Sequence, residues 1–525
     1  MTERARTRAW ALYEAGRDYN NRLTPNQYSL VNTNTEFFIG NQWLNLPDTP
    51  AMRSLPKPTF NILKRVASLF IASLTGSAIR IRAEPLDFSG DADAAAFAEA
   101  EIANLLEKFH FDYRVRDALF DGAQTGDYCA HFWFNPEARP YRGNGAFRAH
   151  KGEIRMELVD GINVMFGNPN DRTVERQPWI LLVGRDSAEN LRREARRYHA
   201  DPLELVQPDA ETWDFAGVGG KTELSGDSDG KALYVLLYEK SVNKRGETTV
   251  HVTKATRDAV IYENIDTGLS AYPIAWGNWE KQRNQYHGRA LVTGLIPNQI
   301  FVNTLFATAM RHIQLMAFPR AVYNADVVSA WTNEVGQAIA VRGLQPGQSV
   351  QSVAGSISAP EMSAQIFTLI DKAMDYTKEC LGVSDVQLGN ASPENTSALA
   401  LLQTNAEIPL ENIRAGLYEW AEDIGRILLD MMGTCYGRRP VVLRRGGGTA
   451  VEDFDFSVFK NLWLNLRIDA GDTARFSDAA VKDTLDELRR DGFLTAIQYL
   501  ERVPDRLFPR KAELLDELRQ TSASA

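Results

Sequence analysis

Between Ala290 and Met310 the chain carries no charged residue, although 24% of its 525 residues are charged. From near Pro297 this stretch reads NQIFVNTLFATAMRHIQLMAF, apolar or small on nearly every face of a helix. A helix without a solvent face is expected to be buried all round. Its burial is found either inside its own domain or against further copies of the chain. Copies are favoured, because no helix of matching length and apolarity lies nearby to enclose it. Closed rings cover such faces without leaving an unpaired end. The run has transmembrane length, but Gly294, Pro297, Asn298, Gln299 and Asn303 inside it would be costly in lipid, so no membrane partner is expected.

Two more helices follow. Glu361 to Leu381 is the first, and the third is longer, with Leu399, Leu402, Ala406, Leu410, Ile413, Leu417, Trp420, Ile424, Ile427 and Met431 recurring at steps of three and four as an apolar seam. Pro409 falls within that seam and should kink the helix by removing a backbone bond. The loop between them, Val383 to Thr396, starts after a glycine suited to a helix C-cap and ends in Ser392, Pro393 and Glu394, the pattern of a helix N-terminus. It is long for a plain connection, and long loops between rigid helices are often functional.

Charge divides this central region. The whole chain has a net charge of −10, which argues against a protein that grips nucleic acid. Glu361 to Cys435 holds twelve Asp and Glu against four Lys and Arg, whereas Tyr286 to Pro360 holds four Arg against one Asp and one Glu.

The remainder reads as a platform of mixed class, α+β. Length predicts two to four modules. Residues 1 to 24, a second piece running into FFIGNQW (Phe37 to Trp43), Asn61 to Leu74, Asp91 to Phe109 and Asp112 to Gln124 have helical spacing, and AIRIRAEP is a strand. From Asp127 to about Lys281 the period changes to two, giving a β-rich module interrupted by a helix at Ser187 to His199 and a polar loop at Phe215 to Lys231. PVVLRRGGGT and WLNLRIDAG suggest a hairpin returning to that sheet, and short charged helices close the chain at Asp478 to Asp491, Phe493 to Val503 and Lys511 to Gln520. Cys129, Cys380 and Cys435 are odd in number and sit in apolar surroundings, so buried reduced thiols and assembly in a reducing cytoplasm are expected. The charged N-terminal stretch lacks the apolar core of a secretion signal.

Enzymatic motifs fail on context. GDSDG at Gly226 to Gly230 has the letters of a nucleophile elbow but lies between polar KTELS and a strand, and a soluble hydrolase using Ser228 or Lys221 of the 215–231 loop is the weaker reading. GGKT at Gly219 to Thr222 lacks the first glycine and the helix of a phosphate-binding loop. Cys129 and His131 share a strand face, but two ligands do not make a metal site. Glu422 and Asp423 fall on an exposed helix face, where solvation is the ordinary role. No catalytic residue, metal or cofactor is assigned.

The order of elements resembles the portal proteins of tailed bacteriophages. The likeness rests on FFIGNQW, PTFNILKRVASLFIASLTG, GAQTGDYCAHFWF, GRALVTGLIPNQIFVNTLFATAMRHIQLMAFPRAVYN and LGVSDVQLGNASPENTSALALL, in that order over roughly residues 30 to 520. The resemblance implies a dodecameric homo-oligomeric ring at one capsid vertex of the virion, assembled in the host cytoplasm, which passes double-stranded DNA without binding it tightly. It implies a wing of N-terminal helices and β-rich module (1–285), stem helices at 286–318 and 361–382, a small α/β clip (319–360), a tunnel loop (383–396), a long kinked wing helix with returning strands (397–475) and a helical crown (476–525). Stem packing between subunits would use Ile300, Phe301, Leu305, Phe306 and Met310. Ser384, Asp385, Gln387, Asn390, Ser392, Glu394 and Asn395 would face the DNA. Arg320, Tyr323, Asn324, Trp331 and Arg342 would dock the large terminase and later the head-to-tail adaptor, with major capsid or scaffolding protein as a further partner. Arg311, Arg320 and Arg342 suit either guiding the duplex and docking or plain solvation. Another virion structural protein, such as an adaptor, is disfavoured by the chain's length and long central helix.

Overall fold

Helical periodicity gives way to period two at Asp127, and the elements follow that change. The structure, a computed structural model, describes residues 3–44, 49, 53, 55–76, 78–85, 92–139, 151–198, 206–208, 230–242, 246–257, 259–316, 320–328, 341–342, 346–347, 349, 354–357, 364–380, 408–445, 448–462, 464–469, 478–503, 511, 514–515 and 518. Before the change lie α1 (Glu3–Arg22), α2 (Gln27–Ile39), α3 (Ile62–Leu74), β1 (Arg80–Pro85), α4 (Ala92–Lys108) and α5 (Phe111–Thr125). After it come β2 (Asp127–Asn135), β3 (Glu153–Val159), β4 (Val164–Phe166), β5 (Trp179–Ser187), α6 (Ala188–Arg197), β6 (Lys231–Val242), β7 (Thr248–Thr256), β8 (Val260–Asp266) and β9 (Ile274–Asn278). The chain continues through α7 (Leu291–Met316), β10 (Arg320–Tyr323), β11 (Ala354–Ile357), α8 (Ala364–Cys380), α9 (Glu411–Cys435), β12 (Arg438–Arg445), β13 (Gly448–Asp455), β14 (Leu464–Asp469), α10 (Asp478–Arg490) and α11 (Ala496–Arg502). Two units result: Met1–Ile39 with Leu63–Leu295 and Gly382–Ala525, and Gly40–Ile62 with Ile296–Leu381.

In the first unit β4 to β8 form an antiparallel sheet in sequence order. Alternation puts Leu233, Val235 and Leu237 of β6 on one face, where they meet Met165, Leu181, Val183 and the α1 residues Ala9 and Tyr13. Gly16 continues that α1 stripe because a Cβ there would stand 2.4 Å from Met165 Sδ. Ala232, of opposite parity, packs with Ala188, Leu191 and Ala195 of α6. A second sheet has the order β3-β2-β9. Against it lies α9, whose seam residues Leu417, Trp420, Ile424, Ile427 and Met431 are buried as their spacing predicts. Trp420 stacks on Phe111 and donates its indole N–H to the Ala275 carbonyl at 3.2 Å.

The returning strands differ from expectation. β12 and β13 pair with each other in a separate two-stranded sheet, and β14 pairs with β1, Arg80 opposite Asp469. Burial is the cause: Ile81 and Leu466 on one face of that ribbon close over Gly425 of α9. Arg439 anchors the hairpin, its guanidinium donating to the carbonyls of Tyr436, Lys151 and Gly152. Cys129 and Cys435 are free thiols, and burial raises both, Cys435 to about 11, which leaves them unreactive as thiolates.

A polar knot sits where β2 begins. Asp127 is fully buried; its Oδ1 accepts from Gly288 N–H and Asn278 Nδ2, each at 2.7 Å, and its Oδ2 lies 2.6 Å from His287 Nδ1. Glycines make this approach possible. Gly126 has φ 96°, and a Cβ on it would stand 2.4 Å from the Gly288 carbonyl oxygen. Gly126→Ala is expected to destabilise the fold by more than about 2 kcal/mol, because backbone cannot yield as a side-chain tip does; a thermal melt within a degree or two of wild type would contradict the contact.

Two other carboxyls set a pH dependence. Burial raises Glu101 to about 7 against the opposing pull of Asn104, Arg439 and Lys108, and burial with repulsion from Asp160 and Asp117 raises Asp121 to about 7. Protons held in the folded chain but given up on unfolding make stability fall as pH rises from about 4 to about 7, and stay level above. Glu101→Gln should flatten this slope and stabilise the chain at pH 8 by up to about 2 kcal/mol, measured by melts between pH 5 and 8.

Candidate assembly and docking elements

α7 begins at Leu291, two turns before Pro297, so the proline lies inside the helix and not at its start. The helix is long and apolar enough to cross a membrane by length and composition alone. Its second-unit part is not buried all round. Gln299, Val302, Asn303, Ala307 and Ala309 are buried, whereas Ile300, Phe301, Met310 and Ile313 are 40–49% exposed. Leu305 and Phe306 are half-buried, and Phe306 packs on Phe60 of the same chain at 4.4 Å between ring centres. Thus three of the five residues expected to pack between subunits are open in the single chain, and Phe306 is already engaged within it.

The polar residues of the helix explain why one face is fixed. Gln299 Nε2 donates to the Phe60 carbonyl (2.6 Å) and to Asn303 Oδ1 (3.0 Å), its Oε1 accepts the Ile62 N–H (3.0 Å), and Asn303 Nδ2 donates to Gln42 Oε1 at 2.7 Å. These bonds clip the segment around residues 42–62 to α7. Sequence reasoning read Gln299 and Asn303 as costs in lipid and missed this pairing, although NILKR and FFIGNQW, which supply its partners, were both singled out. Gln299→Leu should lower stability by about 1 kcal/mol by removing the partner of the part-buried Phe60 carbonyl and Ile62 N–H, read as earlier melting or faster amide exchange around residues 60–62.

The clip region shows a hairpin of β10 and β11 and a bridge of Val328 with Val341. Arg320 opens β10, opposite Ile357, and Tyr323 ends it, partly exposed. Asn324 caps the following turn, its Oδ1 accepting the Asp326 N–H at 3.0 Å. Arg342 is exposed beside the bridge, its N–H donating to the Val327 carbonyl. The structure thus brings Tyr323, Asn324 and Arg342 to one short stretch of turn and strand. Trp331 lies outside the described residues, and among the described clip residues there is no helix. α8, described over Ala364–Cys380 within the expected Glu361 to Leu381, exposes Phe367, Leu369 and Tyr376 beside its acidic Asp371 and Asp375, while residues 361–363 and 381 lie outside the described residues.

The whole of 383–396, and with it Ser384, Asp385, Gln387, Asn390, Ser392, Glu394 and Asn395, lies outside the described residues, as do Leu399, Leu402, Ala406, Lys221 and Ser228. Pro409 occupies a 3₁₀ turn, Ile408–Leu410, and regular helix starts directly after it. His131 is a satisfied core histidine, with Nδ1 2.8 Å from Glu157 and Nε2 2.8 Å from the Tyr238 hydroxyl. Glu422 and Asp423 both engage Arg426. Burial raises Asp423 to about 6, so this pair is less solvated than its helix position predicts. Among the described residues no group of three or more His, Cys, Asp or Glu is placed to hold a metal.

No curated protein matches the chain. Residues 206–444, from between α6 and β6 to the penultimate residue of β12, match the model of the phage P22-like portal protein family. The motifs before residue 206 and the helices after 444 lie outside the match. That family is structural and not an enzyme family. The matched residues include α7, the β10–β11 pair, α8 and α9, and the match supports reading the chain as a phage portal protein.

Proposed function

We propose that the chain forms a dodecameric ring at a unique capsid vertex, a conduit for packaging and ejecting double-stranded DNA. The observation that carries this reading is the bare apolar face of α7. Ile300, Phe301, Met310 and Ile313 stand open in one chain, and covering each further is worth about 1 kcal/mol, repeated at every contact of a closed ring. The 383–396 loop lines the channel with small polar and acidic side chains. The acidic excess of residues 361–435 keeps phosphate contacts few, as a conduit requires.

The hairpin β10–β11, with Arg320, Tyr323, Asn324 and Arg342, and Trp331 nearby in sequence, is the docking surface for the large terminase and later the head-to-tail adaptor. Packaging energy comes from the terminase, since the portal family is not enzymatic. The β-rich module and α9 form the wing, where major capsid or scaffolding protein would meet the ring. α10, α11 and the last helical stretch form the crown.

Mass photometry with negative-stain imaging tests the assembly: a ring with a central hole is expected, and a persistent monomer would defeat the proposal. Ile300→Asp with Phe301→Asp should abolish the ring while leaving the monomer's melting temperature within about 2 °C, since both side chains are exposed there. Deleting Ser384 to Asn390 should spare assembly and impair DNA packaging or retention; loss of assembly would make the loop structural instead.

A further inference from the structure

The α1 stripe that seats on the five-stranded sheet runs Ala9, Tyr13, Gly16 and then Asn20, which is polar and fully buried. Asn20 Oδ1 lies 3.0 Å from His287 Nε2 and accepts the Tyr286 hydroxyl at 3.4 Å, while its Nδ2 donates to the Tyr28 hydroxyl at 3.3 Å. His287 hands the contact on to Asp127, which also holds the Gly288 N–H, and Asn278 Nδ2 binds the Tyr286 carbonyl at 2.9 Å. Side chain and backbone of residues 286–288 are therefore fixed from α1, β2 and β9 together, and α7 begins three residues later.

A polar residue in an apolar stripe is satisfied in one seating of its helix and stranded in the others, as with a buried asparagine in a coiled coil. The dependence runs both ways, because His287 loses a partner whenever α1 lifts. We propose that the Asn20–His287–Asp127 relay is a conformational latch through which the seating of α1 sets residues 286–290, the lead-in to α7. Displacement of α1 loosens that lead-in while the core around Trp420 of α9, which α1 does not cover, stays closed.

Hydrogen exchange by mass spectrometry on the full chain tests the latch, with rates referred to α9 to remove global unfolding. Asn20→Ala should speed exchange over residues 286–295 about tenfold, equal to about 1.4 kcal/mol of local opening. Gly16→Val, which unseats α1 against Met165 and leaves every relay residue in place, should raise exchange in the same peptides, and it carries the test if Asn20→Ala does not fold. Leu500→Ala, in the separate core that α10 and α11 form with Leu485 and Tyr499, should leave 286–295 unchanged. The latch is refuted if α1 becomes labile in Gly16→Val while 286–295 keeps wild-type protection, or if Leu500→Ala loosens 286–295 equally.

Discussion

A carboxylate with no access to water must be neutralised by groups the fold brings to it, and Asp127 is such a carboxylate. Its partners come from the turn before α7 and from β9, and through His287 from α1, so three distant stretches are correct only together. The meeting of Gly126 with Gly288 belongs to the same constraint. Without a bare backbone at both positions the N–H of Gly288 would not reach the carboxylate. The three-stranded sheet, the seating of α1 and the start of α7 all depend on this junction.

Much of this was legible in the sequence, and the pattern of success is physical. Period two over β2 to β9 and the seam of α9 were readable because each follows from one side of an element being buried, a local regularity. The pairing of β14 with β1 was not, because strand partners are chosen by what lies beneath them, here Gly425 and its neighbours on α9. The polar knot also escaped notice. His287 was one of seven scattered histidines, and the signal that existed, a glycine beside it and another beside Asp127, gains meaning only when the two are seen to touch.

The apolar run that first constrained the chain turns out to have two unlike sides. Gln299 and Asn303, which look like flaws in an apolar helix, orient it by binding the 42–62 segment, and this decides which apolar residues are left outward. Polar residues thus select which apolar face is left outward. The portal-family match spans this helix, and an assembly face chosen by buried amides would present the same surface on every copy, as a closed ring requires.

The ribbon of β1 and β14 bears on how the chain is made. Arg80 is made long before its partner Asp469, so Ile81 and Ala83 remain without their strand partner until β14 has been synthesised. The β4–β8 sheet, whose neighbours follow one another in sequence, can close long before that. Completing the ribbon is then the capture of an early strand by a late one, a non-local pairing that is slow to form and leaves Ile81 and Ala83 uncovered in the meantime.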